Sequence, residues 1–93
     1  MRIRWTPPAA ADLQTISDYL KENHPQYRQP TLRKMYQKIR ALKNTPYVGR
    51  PGRIEGTREL FFLPLPYVAV YRVTQQAVEI WRVYHTSQQR SSV

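Results

Sequence analysis

Four arginines, two glutamates, a tyrosine and a histidine in the second half of the chain are the side chains suited to work on a phosphodiester. Arg50 and Arg53 lie in Gly49-Arg50-Pro51-Gly52-Arg53, and Arg58 and Glu59 in Gly56-Thr57-Arg58-Glu59-Leu60. Arg82, Tyr84 and His85 close the run Glu79-Ile80-Trp81-Arg82-Val83-Tyr84-His85. Cleaving RNA at a 2′-hydroxyl needs a base for the hydroxyl proton, a cation for the charge gathering on phosphorus, and an acid for the leaving oxygen. Guanidinium groups hold phosphate through paired N–H donors. Glu55 or Glu59 is a candidate base, and an imidazole such as His85 can serve as base or acid near neutral pH. Tyr84 is a candidate platform for stacking a nucleobase. The catalytic candidates of this chemistry are His85, Arg58 and Glu59. The target-binding candidates are Arg50, Arg53, Arg58, Arg82, Tyr84 and His85.

Each of these residues also has a plainer use. Arg58 and Glu59 are neighbours on an expected strand, so their side chains point to opposite faces. Arg58 can pair across the sheet with a carboxylate such as Glu79, a contact worth about 0.2–1 kcal/mol. His85 can cap the end of a strand. Tyr67, Tyr71 and Trp81 suit packing on a sheet better than nucleotide stacking. His24, next to Pro25, reads as a turn residue, and Met35 as core.

Composition narrows the classes. Ninety-three residues with a 41% hydrophobic share and eleven aromatics make one small globular domain, residues 1–93. A net charge of +9 favours anionic partners such as a phosphate backbone or an acidic protein. The absence of cysteine excludes disulfides, thiolate nucleophiles and cysteine-bound zinc. With only His24 and His85 available, no metal and no cofactor is expected. No run approaches the ~20 apolar residues of a membrane span, and Met1-Arg2-Ile3-Arg4-Trp5 does not resemble a secretory leader, so the expected location is cytoplasmic.

The elements that position these groups follow from periodicity. Arg2-Ile3-Arg4-Trp5 alternates, which predicts a short strand with Ile3 and Trp5 facing inward. Thr6 reads as an N-cap with Pro7 pre-set for the first helical turn. Ala9, Leu13, Ile16 and Leu20 form one stripe of a helix over 8–23, closed by Asn23-His24-Pro25. A second, strongly basic helix is expected over 26–43, with Leu32, Met35, Ile39 and Leu42 inward and Pro30 either starting it or kinking it. Gly49, Gly52 and Gly56 together with Pro46 and Pro51 mark 44–56 as a loop. Strands are expected over 57–63, 67–74 and 77–85, with Pro64 and Pro66 in the first turn and Gln75-Gln76 in the second. The polar segment 86–93 reads as a flexible tail. The predicted class is α+β, in the order β-α-α-β-β-β, with a helical hairpin packed on a small antiparallel sheet.

In its order of pieces the chain resembles the RelE/ParE superfamily of toxins from bacterial type II toxin–antitoxin modules. The resemblance runs from Trp5, Asp12-Leu13, Ile16 and Tyr19-Leu20 through Gly49-Arg50-Pro51-Gly52. It continues into Gly56-Thr57-Arg58-Glu59-Leu60, Pro66-Tyr67-Val68-Ala69-Val70-Tyr71-Arg72-Val73 and Glu79-Ile80-Trp81-Arg82-Val83-Tyr84-His85. It implies a growth-arresting activity masked by a cognate antitoxin that is acidic or amphipathic and partly disordered when free. A +9 chain suits such a partner.

The superfamily divides between ParE-like inhibitors of DNA gyrase, which cut nothing, and RelE-like ribosome-dependent endoribonucleases acting on mRNA. RelE-type nucleases resemble one another in carrying lysines and an arginine on their central strands. Here Lys21, Lys34, Lys38 and Lys43 all fall on the predicted helices, while Leu60, Phe61, Phe62 and Leu63 stand on the strand. The expectation is therefore a ParE-like, non-enzymatic toxin. A nuclease built from His85 with Glu55 or Glu59, and a non-toxic basic protein-binding module, stay open.

Overall fold

A computed structural model describes residues 1–89. The chain runs β1 (Arg2–Trp5), α1 (Pro7–Asn23), α2 (Pro25–Arg40), a 3₁₀ turn (Ala41–Lys43), β2 (Arg50–Pro51), β3 (Arg58–Phe61), β4 (Tyr67–Val73), β5 (Ala77–His85) and α3 (Thr86–Gln89). The sheet order is β1-β5-β4-β3-β2. The α+β class and the helical hairpin are as the periodicity predicted. The sheet, however, has five strands and is mixed. β1 lies parallel to β5, with Ile3 opposite Val78 and Trp5 opposite Ile80, and the two-residue β2 comes out of the expected loop.

Capping sets the start of α1. Thr6 Oγ1 accepts from the Ala9 N–H at 3.2 Å and donates to the Ile80 carbonyl at 2.9 Å, so one hydroxyl starts the helix and ties it to β5. Pro7 then costs no helical hydrogen bond. Ala9, Leu13, Ile16 and Leu20 are buried, as expected. α2 begins at Pro25 and continues over Pro30. Pro30 removes the donor for the Gln26 carbonyl, which lies on an exposed turn where water can serve instead. Thr31, Met35 and Ile39 form the buried stripe of α2, and Leu32 is only partly buried. The regular helix ends at Arg40, and the 3₁₀ turn places Leu42 in the core.

The helices cover the sheet face that carries Ile3, Leu60, Phe62, Tyr67, Ala69, Tyr71, Val78, Ile80 and Val83. Each large apolar side chain so buried contributes about 1.5–3 kcal/mol. The β4–β5 turn lacks an Asn-Gly pair, and Thr74 substitutes for it. Its Oγ1 accepts from the Gln76 and Ala77 N–H groups at 3.3 and 3.1 Å.

One irregularity decides which side chains face away from the helices. β4 and β5 stay in register from Tyr67 opposite His85 to Val70 opposite Arg82, and then Tyr71 faces Ile80. Trp81 is the extra residue of a β-bulge, which shifts the alternation of β5 by one. Ile80 and Val83 both point into the core, while Trp81 and Arg82 turn outward. The expected tail begins with the single helical turn α3; residues 90–93 lie outside the described residues.

Candidate functional site

The loop from Pro46 to Gly56 is fastened to the sheet by two side chains. Tyr71, fully buried in β4, donates its hydroxyl to the Pro46 carbonyl at 2.7 Å and accepts from the Gly49 N–H at 2.9 Å. Burial raises the Tyr71 hydroxyl above the usual phenol pKa, against smaller lowering effects from the Gly49 bond and Arg58. Arg58 donates to the Tyr47 and Gly49 carbonyls at 3.1 and 2.7 Å, with its guanidinium 5.1 Å from the Tyr47 ring centre. It does not pair with Glu79. A Cβ at position 49 would stand 2.6 Å from the Tyr71 hydroxyl and 2.8 Å from the Glu59 carbonyl oxygen, so only glycine allows this approach. Gly56, at φ +86°, turns the chain into β3 in a conformation side chains rarely adopt.

Arg50 lies on the sheet face turned away from the helices. Its Nε is 3.3 Å from Glu59 Oε1, and its guanidinium sits 4.4 Å from the centre of the Phe61 ring. Glu59 is nearly inaccessible, whereas the Arg50 side chain that pairs with it stays largely exposed. Arg53 is exposed on the outer part of the loop, beside the exposed Ile54, with the exposed Tyr47 and Val48 on the same loop.

At the other edge, Asp12 of α1 organises the end of β5. Its carboxylate accepts from Arg82 Nε at 2.7 Å, Arg82 Nη2 at 3.0 Å and the Val83 N–H at 2.9 Å. β1 stops opposite Ile80, and Asp12 supplies the acceptor that a longer strand would have given. The hydrogen bonds that Arg82 donates to Asp12 raise the Arg82 pKa further. The Arg82 guanidinium also lies 5.2 Å from the Tyr84 ring centre. His85 Nδ1 accepts from the Ser87 N–H at 3.2 Å and lies 2.8 Å from Ser87 Oγ, an arrangement that suits the tautomer protonated at Nε2. Its ring meets Tyr67 edge-on at 5.6 Å. Burial, with a smaller effect from Tyr19, raises the Tyr67 pKa.

The fold therefore separates the residues that sequence chemistry grouped together. Glu59 faces away from the helices, whereas His85 shares Tyr67's face. Arg58 is on His85's face, but two strands across and four residues along, about 16 Å away by strand geometry. His85, Arg58 and Glu59 do not converge on one point. Arg82, Tyr84 and His85 cluster at one edge, and Arg50 and Arg58 at the other.

Beside the β5 edge lies a groove of about 1060 Å³ between α1, the start of α2 and the β3–β4 turn. Ile16, Leu20, Leu65 and Val83 make its floor. Tyr19 and Tyr27, 54% and 57% exposed, stand on its rim with His24. Sequence reasoning did not find the groove rimmed by these tyrosines, nor the clamp formed by Asp12. Tyr19 lies one position before Leu20 of the apolar stripe, and that adjacency was the available signal.

A family model described as the ParE toxin of the type II toxin–antitoxin system parDE matches residues 3–90. The chain is 39% identical over 88 residues to "Putative toxin Y4kP" of Sinorhizobium fredii (strain NBRC 101917 / NGR234), covering 95% of this chain and 91% of that protein. Among solved structures it is similar to the chromosomal ParDE toxin–antitoxin system from P. aeruginosa, with a TM-score of 0.80 and 28% identity over 91% of this chain and 95% of that one. It shares its fold with YafQ from E. coli strain BL21(DE3), with a TM-score of 0.61 and 16% identity over 94% and 96% of the two chains. The same fold occurs in the toxin–antitoxin complex RelBE2 from Mycobacterium tuberculosis, with a TM-score of 0.57 and 23% identity over 90% and 95%.

Proposed function

This chain belongs to the ParE toxin family of type II toxin–antitoxin systems, and from that premise we propose that it arrests growth by binding DNA gyrase, without catalysing a reaction. One observation carries this reading: the catalytic candidates His85, Arg58 and Glu59 do not converge on one point. Arg58 holds loop carbonyls, Glu59 is buried against Arg50, Arg82 is clamped by Asp12, and His85 stands apart on the opposite sheet face from Glu59. General acid–base catalysis requires its acid, base and phosphate-holding cation within hydrogen-bond reach of one reacting group. A binding surface has no such requirement.

The target-binding surface is the rim of Arg50 and Arg53 with the exposed Tyr47, Val48 and Ile54, shaped from below by Arg58 and Tyr71. The cognate antitoxin is an acidic, amphipathic segment. Its apolar side chains fill the groove floored by Ile16, Leu20 and Val83, and its carboxylates answer the +9 charge. Tyr84 and His85 stand at the end of that groove and meet the antitoxin first. The test is DNA supercoiling by purified gyrase in the presence of this protein. Supercoiling falls with added toxin and recovers with antitoxin; full supercoiling at a large molar excess of toxin overturns the reading.

A further inference from the structure

The sheet face turned away from the helices has a composition that neither the hairpin nor the groove explains. By register Arg2 and Arg4 of β1, Arg72 of β4 and Arg50 of β2 project from it, together with Arg82 of β5, whose guanidinium Asp12 of α1 holds at the strand edge. Three of these guanidinium groups lie over aromatic rings on the same face. Arg50 is 4.4 Å from the Phe61 centre, Arg82 is 5.2 Å from Tyr84, and Arg72 is 6.0 Å from Trp81. Glu79 orients the middle of the stripe, accepting from Arg4 Nη2 at 2.7 Å and from Trp81 Nε1 at 3.3 Å. Trp81 is there because the bulge turns it outward.

We propose that this arginine–aromatic face binds a single-stranded polynucleotide, with phosphates on Arg4, Arg72 and Arg50 and an unpaired base against Trp81. The stripe crosses all five strands, about 19 Å at the usual strand spacing, which matches a few nucleotides of extended chain. Phosphate attraction alone needs only cations. Rings interleaved with the cations add a stacking surface that every base can use and that an acidic peptide cannot. Bases paired inside a duplex cannot reach a sheet face, so the ligand is single-stranded. The inference does not rest on gyrase being the target: its face shares only Arg50 with the rim assigned to the target, and its chemistry is not cleavage.

Fluorescence anisotropy of labelled dT12 and rU12, titrated with the intact protein over a range of NaCl concentrations, tests it. Both oligonucleotides bind, and log K falls with log salt. Arg72→Gln and Arg4→Gln each reduce the slope by about 0.7, the loss expected for one phosphate contact on a single strand. Arg33→Gln removes the same charge from the exposed part of α2 and leaves affinity and slope near wild type. Trp81→Ala weakens binding about 5- to 150-fold, whereas Trp81→Phe retains most of it, with circular dichroism confirming that both variants are folded. Tighter binding of dT12 or of rU12 distinguishes a DNA from an RNA source. The proposal is overturned if neither oligonucleotide binds, if polyglutamate competes as well as dT12, or if Arg33→Gln weakens binding as much as Arg72→Gln.

Discussion

Removing one oxygen atom, by Tyr71→Phe, should release the arginine loop. The Tyr71 hydroxyl is the donor to Pro46, in a part-buried bond, and the acceptor for the Gly49 N–H, in a buried one. The substitution keeps the ring that fills the core and leaves those two backbone groups without their partner. Each lost bond costs about 1 kcal/mol net, and stranding a buried N–H adds to that, so the change is about 2–3 kcal/mol. A domain of this size is stable by about 5–14 kcal/mol, so this is a substantial share. For a chain of ~90 residues such a loss lowers Tm by roughly 10–20 °C. Urea unfolding should show a lower midpoint with an unchanged slope, because the surface exposed on unfolding is the same. Hydrogen exchange of the Gly49 amide should accelerate in step. A midpoint shift worth less than ~0.5 kcal/mol, with Gly49 still protected, would refute the reasoning that this hydroxyl fastens the loop.

Other outcomes follow from the same contacts. Asp12→Ala should cost about 2–3 kcal/mol, because it strands the Val83 N–H and frees Arg82, whereas Arg82→Ala should cost ~1 kcal/mol or less, since Val83 keeps its acceptor. Urea midpoints of the two variants check that order. Hydrogen bonds from Arg4 and then Trp81 hold the Glu79 carboxyl below its ordinary value of 4.5. Its stabilising effect is therefore present above pH 4.5 and fades as pH falls through the lower folded-state value. Glu79→Gln should flatten that part of the Tm–pH curve, and an unchanged acid limb would contradict the assignment.

Much of the fold was readable because its signals are local. The four-three-four spacing of Ala9, Leu13, Ile16 and Leu20, the Thr6-Pro7 start and the Gln75-Gln76 turn each depend on a few neighbouring residues. What the sequence withheld is tertiary. The pairing of β1 with β5 joins residues more than seventy positions apart. Trp81 and Arg82 carry no periodic mark of the bulge, so the alternation of β5 read as unbroken. Nothing local marked Asp12 as a clamp, because its partners Arg82 and Val83 are adjacent only in space. For the same reason Arg58, matched on paper with Glu79, instead holds the loop, and Glu79 belongs to Arg4. The candidate site was legible as a set of residue types but not as a geometry: register and face decide that Glu59 and His85 look in opposite directions.

Primer extension on a message translated in the presence of the purified protein tests the central claim most directly. With Arg58, Glu59 and Arg82 all engaged in structural bonds, the account predicts full-length message with no new 5′ ends while growth is arrested. Defined new ends that vanish in a folded His85→Ala variant would contradict it.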